Sequence, residues 1–139
     1  MMVDLTTLAN QLAEQGSSAD SSFIFEVSPI PGEVEVLQIL VEDREELPIF
    51  VSASDAQILC IAYLFKEDEV KEDERIVMNH AMLAANISIP LSSFAKIDDQ
   101  YVIYGALSVN SSLDDIVHEL DTLASNAVDA LDSMRTHLQ

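Results

Sequence analysis

"QILCIAYLF", residues 57–65, decides the fold, because it is apolar at both parities of an extended chain. Ile58, Cys60, Ala62 and Leu64 fall on one face of a strand, and Leu59, Ile61, Tyr63 and Phe65 on the other. A strand apolar on both sides is expected in the middle of a sheet with both faces covered, which buries Cys60. Working outward, "IFVSA" (49–53) precedes it across a short turn at Ser54-Asp55 and forms its hairpin partner. Upstream, "VEVLQILV" (34–41) alternates loosely and "EDREELP" (42–48) interrupts it with charge. "FIFEV" (23–27) is a further strand, followed by the Pro- and Gly-containing turn "PIPGE" (29–33). Downstream, "SFAKI" (93–97), a tight "DDQ" turn and "YVIYGALSV" (101–109) read as a second hairpin.

Three helices frame these strands. Asp4 can cap the first, whose Leu5, Leu8, Ala9 and Leu12 recur at intervals of three and four before Gly16 and "GSSADSS" end it. "KEDEVKEDER" (66–75) opens the second, with acids crowding its positive end, and the helix must finish near Asn86, ahead of Pro90. The third runs from about Leu113 to Leu138 with an unbroken apolar stripe. At ~1.5 Å per residue it is roughly 39 Å long, more than a small domain covers. Its far end, Leu131 and Met134, is therefore expected at a contact with a partner or a second copy, making a homodimer through this helix or the neighbouring sheet edge. The sum is one α+β domain over residues 1–139, an antiparallel sheet of five or six strands flanked by helices, in the order α-β-β-β-(β)-α-β-β-α.

Charge narrows the function. The chain carries 25 acids against 6 bases, a formal net charge of −19, within an otherwise globular composition of 49% hydrophobic residues. Such a field repels phosphate backbones and anionic lipid, and the six bases are scattered, so nucleic-acid binding is not expected. A basic or apolar protein partner is the complement. The longest apolar run, Ile58 to Phe65, is far short of the ~20 residues of a membrane helix, and no basic start marks a secretory signal. The lone Cys60 cannot make an internal disulfide and suits a reducing compartment, so a cytoplasmic location is expected.

No catalytic signature stands out. The pairs Ser92-Ser93 and Ser111-Ser112 flank the last hairpin, but the chain has only three glycines and no nucleophile elbow to activate a serine. Ser111 and Ser112 each precede an acid by three residues, the spacing of a helix cap. Gly105, in mid-strand, marks a bulge or a close approach such as a helix crossing the sheet. "HELDT" at His118 begins like a zinc-protease motif, but Thr122 stands where the second histidine belongs. His118 with Asp114 or Asp121 reads as a solvated ion pair. The acidic runs lack the glycine-turned calcium loop, and phosphate-cradling glycine motifs do not occur. No cofactor or metal is expected.

Two longer stretches carry a family resemblance. "DREELPIF" (43–50), "LSSF" (91–94) and "QYVIYGALS" (100–108) resemble the YjfI-like family of uncharacterised proteobacterial proteins over roughly residues 30–135. The resemblance implies no chemistry; it implies genomic company with phage-shock-protein-A-like coiled-coil membrane-stress proteins. The element order and acidic balance also resemble the secretion-chaperone-like fold of type III secretion chaperones and YbjN-like regulators. The expected function is a non-enzymatic protein-binding domain, a small chaperone or regulator, with Asp43, Glu45 and Glu46 steering a helical client such as a phage-shock-protein-A-like protein. The competing expectation is a sensor or enzyme whose pocket is assembled from residues distant in sequence.

Overall fold

A computed structural model describes residues 5–17, 25–30 and 36–139. Along the chain run α1 (Leu5–Ser17), β1 (Phe25–Ile30), β2 (Val36–Val41), β3 (Ile49–Ala53), β4 (Ile58–Lys66), α2 (Arg75–Ala85), β5 (Ser93–Ile97), β6 (Gln100–Leu107) and α3 (Leu113–Met134). The strands form one six-stranded sheet in the order β1-β2-β3-β4-β6-β5, every pair antiparallel. β4 is interior, between β3 and β6, and Cys60 is buried. The expected element order is met with all four strands before α2. Asp4 and much of "GSSADSS" and "PIPGE" lie outside the described residues.

All three helices lie on one face. Ile58, Cys60 and Ala62 of β4, Ile39 of β2 and Ile103 of β6 point toward them and are fully buried. Leu5, Leu8 and Leu12 of α1, Met78 and Met82 of α2, and Leu120 and Leu123 of α3 close the same core. This corrects the reading of β4 as covered on both sides. Leu59 and Ile61 are only half-buried and Tyr63 is exposed, because no described element packs over that face. A register shift between Tyr63 and Phe65 changes the parity of β4 at its end. Phe65 thereby joins the core and meets Tyr101, ring centroids 5.2 Å apart.

The start of α2 also differs from expectation. "KEDEVKEDER" forms two 3-10 turns, Glu67–Glu69 and Glu72–Glu74, and the α-helix begins only at Arg75. Between the turns Val70 is buried and pairs with Leu138 in an antiparallel bridge, which breaks the helical path. The Lys71 amide donates to the His137 carbonyl, and the Gln139 amide to the Glu69 carbonyl. His137 Nδ1 lies 3.1 Å from Glu74 Oε2, a pairing that a separation of 63 positions hides from the sequence.

These bonds fix the far end of α3 on its own chain. The helix ends at Met134, followed by a 3-10 turn at Arg135–His137. Met134 is 6% exposed, and Leu131 and Leu138 pack against the core. The far end of the stripe thus packs on its own chain, with Met134 buried and Leu131 and Leu138 partly so.

Candidate functional site

The face of the sheet over which no described element packs is a broad apolar surface. Strand alternation places Phe50 and Ser52 of β3 there, with Leu59, Ile61 and Tyr63 of β4. The registers add Val102, Tyr104 and Ala106 of β6, and Ser93, Ala95 and Ile97 of β5. None of these eleven outward positions is charged, in a chain with 25 acids. Phe50 and Tyr63 meet edge to face at 5.7 Å, and Tyr63 remains 38% exposed. Beside them Leu59, Ile61, Ala95, Ile97 and Tyr104 line a shallow depression floored by the buried Val102. Monomeric proteins rarely leave so contiguous an apolar area bare unless something binds it.

Charge returns at the margins, with Glu26 of β1 and Lys66 at the end of β4 on the same face, and on the loop between β2 and β3. Asp43, Glu45 and Glu46 are all exposed on the loop between β2 and β3. Asp43 takes a left-handed backbone (φ 71°), and its amide donates to Glu45 Oε1 at 2.9 Å. Arg44, in their midst, turns inward and clasps α3. It donates to the Asp121 carboxylate at 2.7 Å, to the Asp121 carbonyl and to Ser125 Oγ. Asp121 therefore pairs with Arg44 across the fold, while His118 is exposed on α3.

On the helical face the motif residues converge differently. Ser112 is the cap of α3, its Oγ accepting from the Asp115 amide at 3.1 Å. Ser92 is buried and accepts from Asn126 Nδ2, which also donates to the Pro90 carbonyl and so ties the β5 approach to α3. Gly105 is the close approach rather than a bulge: a Cβ there would lie 1.6 Å from Glu119 Oε1 and 2.9 Å from the Leu91 carbonyl oxygen. Leu91 itself sits at φ 64°, an uncommon conformation for a branched side chain.

Glu119 is the residue that motif reading missed. It is 2% exposed, its Oε1 has no hydrogen-bond partner among the described residues, and burial raises its carboxyl above the ordinary value, with His118 opposing. Its signal was positional: Glu119 borders the arc of Ile116, Leu120 and Leu123, on the side where Ala130 falls, on a helix that crosses a mid-strand glycine. Cys60, paired with Gly105 in the ladder, has its thiol pushed up to about 12, first by burial and then by Glu119. A thiol held neutral and sealed from solvent is a poor nucleophile. The cluster is a structural seat for α3, and the accessible chemistry lies on the open sheet face.

Comparison with known proteins agrees with this architecture. Two proteins named "Uncharacterized protein YjfI", from Escherichia coli K12 and O157:H7, are 28% identical over 97 residues, 67% of this chain and 71% of theirs. The fold is that of a chain in the heterodimeric complex ExoU-SpcU from the type III secretion system of Pseudomonas aeruginosa. The TM-score is 0.55 at 14% identity, covering 89% of this chain and 94% of that one. The architecture is thus shared despite little sequence in common. Residues 2–138 match the family described as "Uncharacterized protein conserved in bacteria (DUF2170)", and the chain belongs to it.

Proposed function

We propose that this protein is a non-catalytic, cytoplasmic protein-binding domain that holds a client on its open sheet face, as a small chaperone or regulator. The observation that carries the proposal is the uncharged surface around Phe50, Ile61, Tyr63 and Tyr104 in a chain of net charge −19. A neighbour of like fold comes from a heterodimeric protein complex, which supports the reading. The client we propose is a phage-shock-protein-A-like coiled-coil protein, whose apolar helical faces suit a flat sheet. The acids Asp43, Glu45 and Glu46 then act at the rim, where charge affects the encounter rate more than the final affinity and is screened within ~8 Å at physiological salt.

Calorimetry with the purified phage-shock-protein-A-like protein of the same host tests this, using wild type and Tyr63→Glu. Binding is expected at low salt, weakened by salt and lost in the variant while its thermal unfolding is unchanged. Absence of binding at low salt removes that client. Equal binding by the variant removes the sheet face.

A further inference from the structure

A second surface lies beside the β5 edge of the sheet, where Leu83 of α2 shares a pocket with Phe94, Ala95 and Lys96. α2 buries Met78 and Met82 against the core, yet its outward side is also apolar. Ile76 is 84% exposed and Leu83 71%, and Ile87, in the turn that follows, is 94% exposed. Ile76 and Leu83 fall at i and i+7 on one side of α2, about 10 Å apart with His80 between them, and Ile87 extends the apolar surface into the turn. A surface helix ordinarily turns a polar face to water; one that is apolar on both sides has an unmet partner.

Charge states the chemistry of that partner. Residues 75–97 contain no Asp or Glu, the acids resuming at Asp98. Immediately ahead of the stripe, the 3-10 turns carry Asp68, Glu69, Glu72 and Asp73, all exposed. The surface is therefore acidic at one end and apolar along the rest. A second copy is a poor complement. Five of the six bases already bond within the chain: Arg44 to Asp121, Arg75 and Lys96 to Glu67, Arg135 to Asp132, and Lys71 to the Thr136 carbonyl. Two chains at −19 also repel.

We propose that the outward face of α2 docks an amphipathic helix of about three turns, with an apolar stripe along it and a cluster of Lys or Arg at one end, set against the acidic turns. This site adjoins the sheet face at Ala95, and variants at Leu83 and Tyr63 distinguish the two.

The probe is a fluorescein-labelled helical peptide of Ala, Leu and Lys, with leucines at i, i+4, i+7 and i+11 and lysines in its last turn. Its anisotropy is titrated with the full chain at low salt. Wild type and Tyr63→Glu should bind it alike, and Leu83→Glu and Ile87→Glu at least about tenfold more weakly. Peptides with the leucines replaced by serine, or the lysines by glutamate, should lose the binding. Equal affinity in the Leu83 and Ile87 variants, or equal binding of the serine peptide, overturns the proposal. So does a wild-type dimer in light scattering that Leu83→Glu splits, which makes the occupant a second copy. Uptake by phosphatidylcholine vesicles that Leu83→Glu abolishes overturns it in favour of a membrane.

Discussion

Gly105 and Glu119 occupy one space, and exchanging their side chains should show it. A Cβ at position 105 would lie 1.6 Å from Glu119 Oε1, 2.8 Å from its Cδ and 2.9 Å from the Leu91 carbonyl oxygen. The carboxyl can swing aside only into a packed core, and the backbone carbonyl yields less readily. Gly105→Ala should therefore cost about 1–3 kcal/mol, the range for overpacking. Glu119→Ala combines opposing effects. It gives up the burial of a methylene, worth about 0.8 kcal/mol, but removes an oxygen whose unsatisfied burial costs about 1–3 kcal/mol. The single change should thus lie within about 1–2 kcal/mol of wild type. In the double variant the new methyl enters the space the carboxyl has left, and only the Leu91 contact opposes it. The pair should couple by about 1–2 kcal/mol, with the double variant more stable than the sum of the singles allows. Urea unfolding followed by far-ultraviolet circular dichroism measures all four chains. Additivity within about 0.5 kcal/mol would refute the shared space.

The protonation of Glu119 gives a second test. Because burial raises its carboxyl above 4.5, the folded chain keeps a proton that the unfolded chain releases. The stability due to the neutral acid is whole below that value and is lost as pH rises through the folded one. Glu119→Gln, neutral throughout, should gain on wild type as pH rises from about 4.5, and a flat difference between acid and neutral pH contradicts the buried acid. Cys60, with its thiol pushed up to about 12, should react with a bulky disulfide reagent at mildly alkaline pH roughly a thousandfold more slowly folded than in urea; rapid labelling in native buffer tells against it.

Much of the architecture was legible because it rests on periodicity. The stripe of α3 and the alternation of β2 each name their buried faces directly. The apolar character of β4 was legible too, but its meaning was not. Leu59, Ile61 and Tyr63 are apolar as read, and a sequence cannot say whether its own helices or another molecule will cover them. The α2 start failed for a related reason: ten acid-rich residues look helical until Val70 is pulled into a bridge with Leu138, 68 positions later. The exposed acids Asp43, Glu45 and Glu46 were visible, whereas Arg44 among them proved to be a clasp on α3. Glu119 was obscured by an incomplete metal motif, although its place at the border of an apolar arc opposite Gly105 marked it as buried.

Asn86, at the end of α2, accepts from the Phe94 amide through Oδ1 at 2.7 Å, and its Nδ2 donates to the Phe94 carbonyl at 3.4 Å. One carboxamide thus does for the outer margin of β5 what a seventh strand would do. A chain with bare apolar surface risks growing by accretion, each new molecule adding its backbone to the last. Here the ladder is stoppered at Phe94, and Lys96, two residues along, is held in an ion pair with Glu67. At that edge, growth by strand addition is blocked by a side chain rather than by another strand.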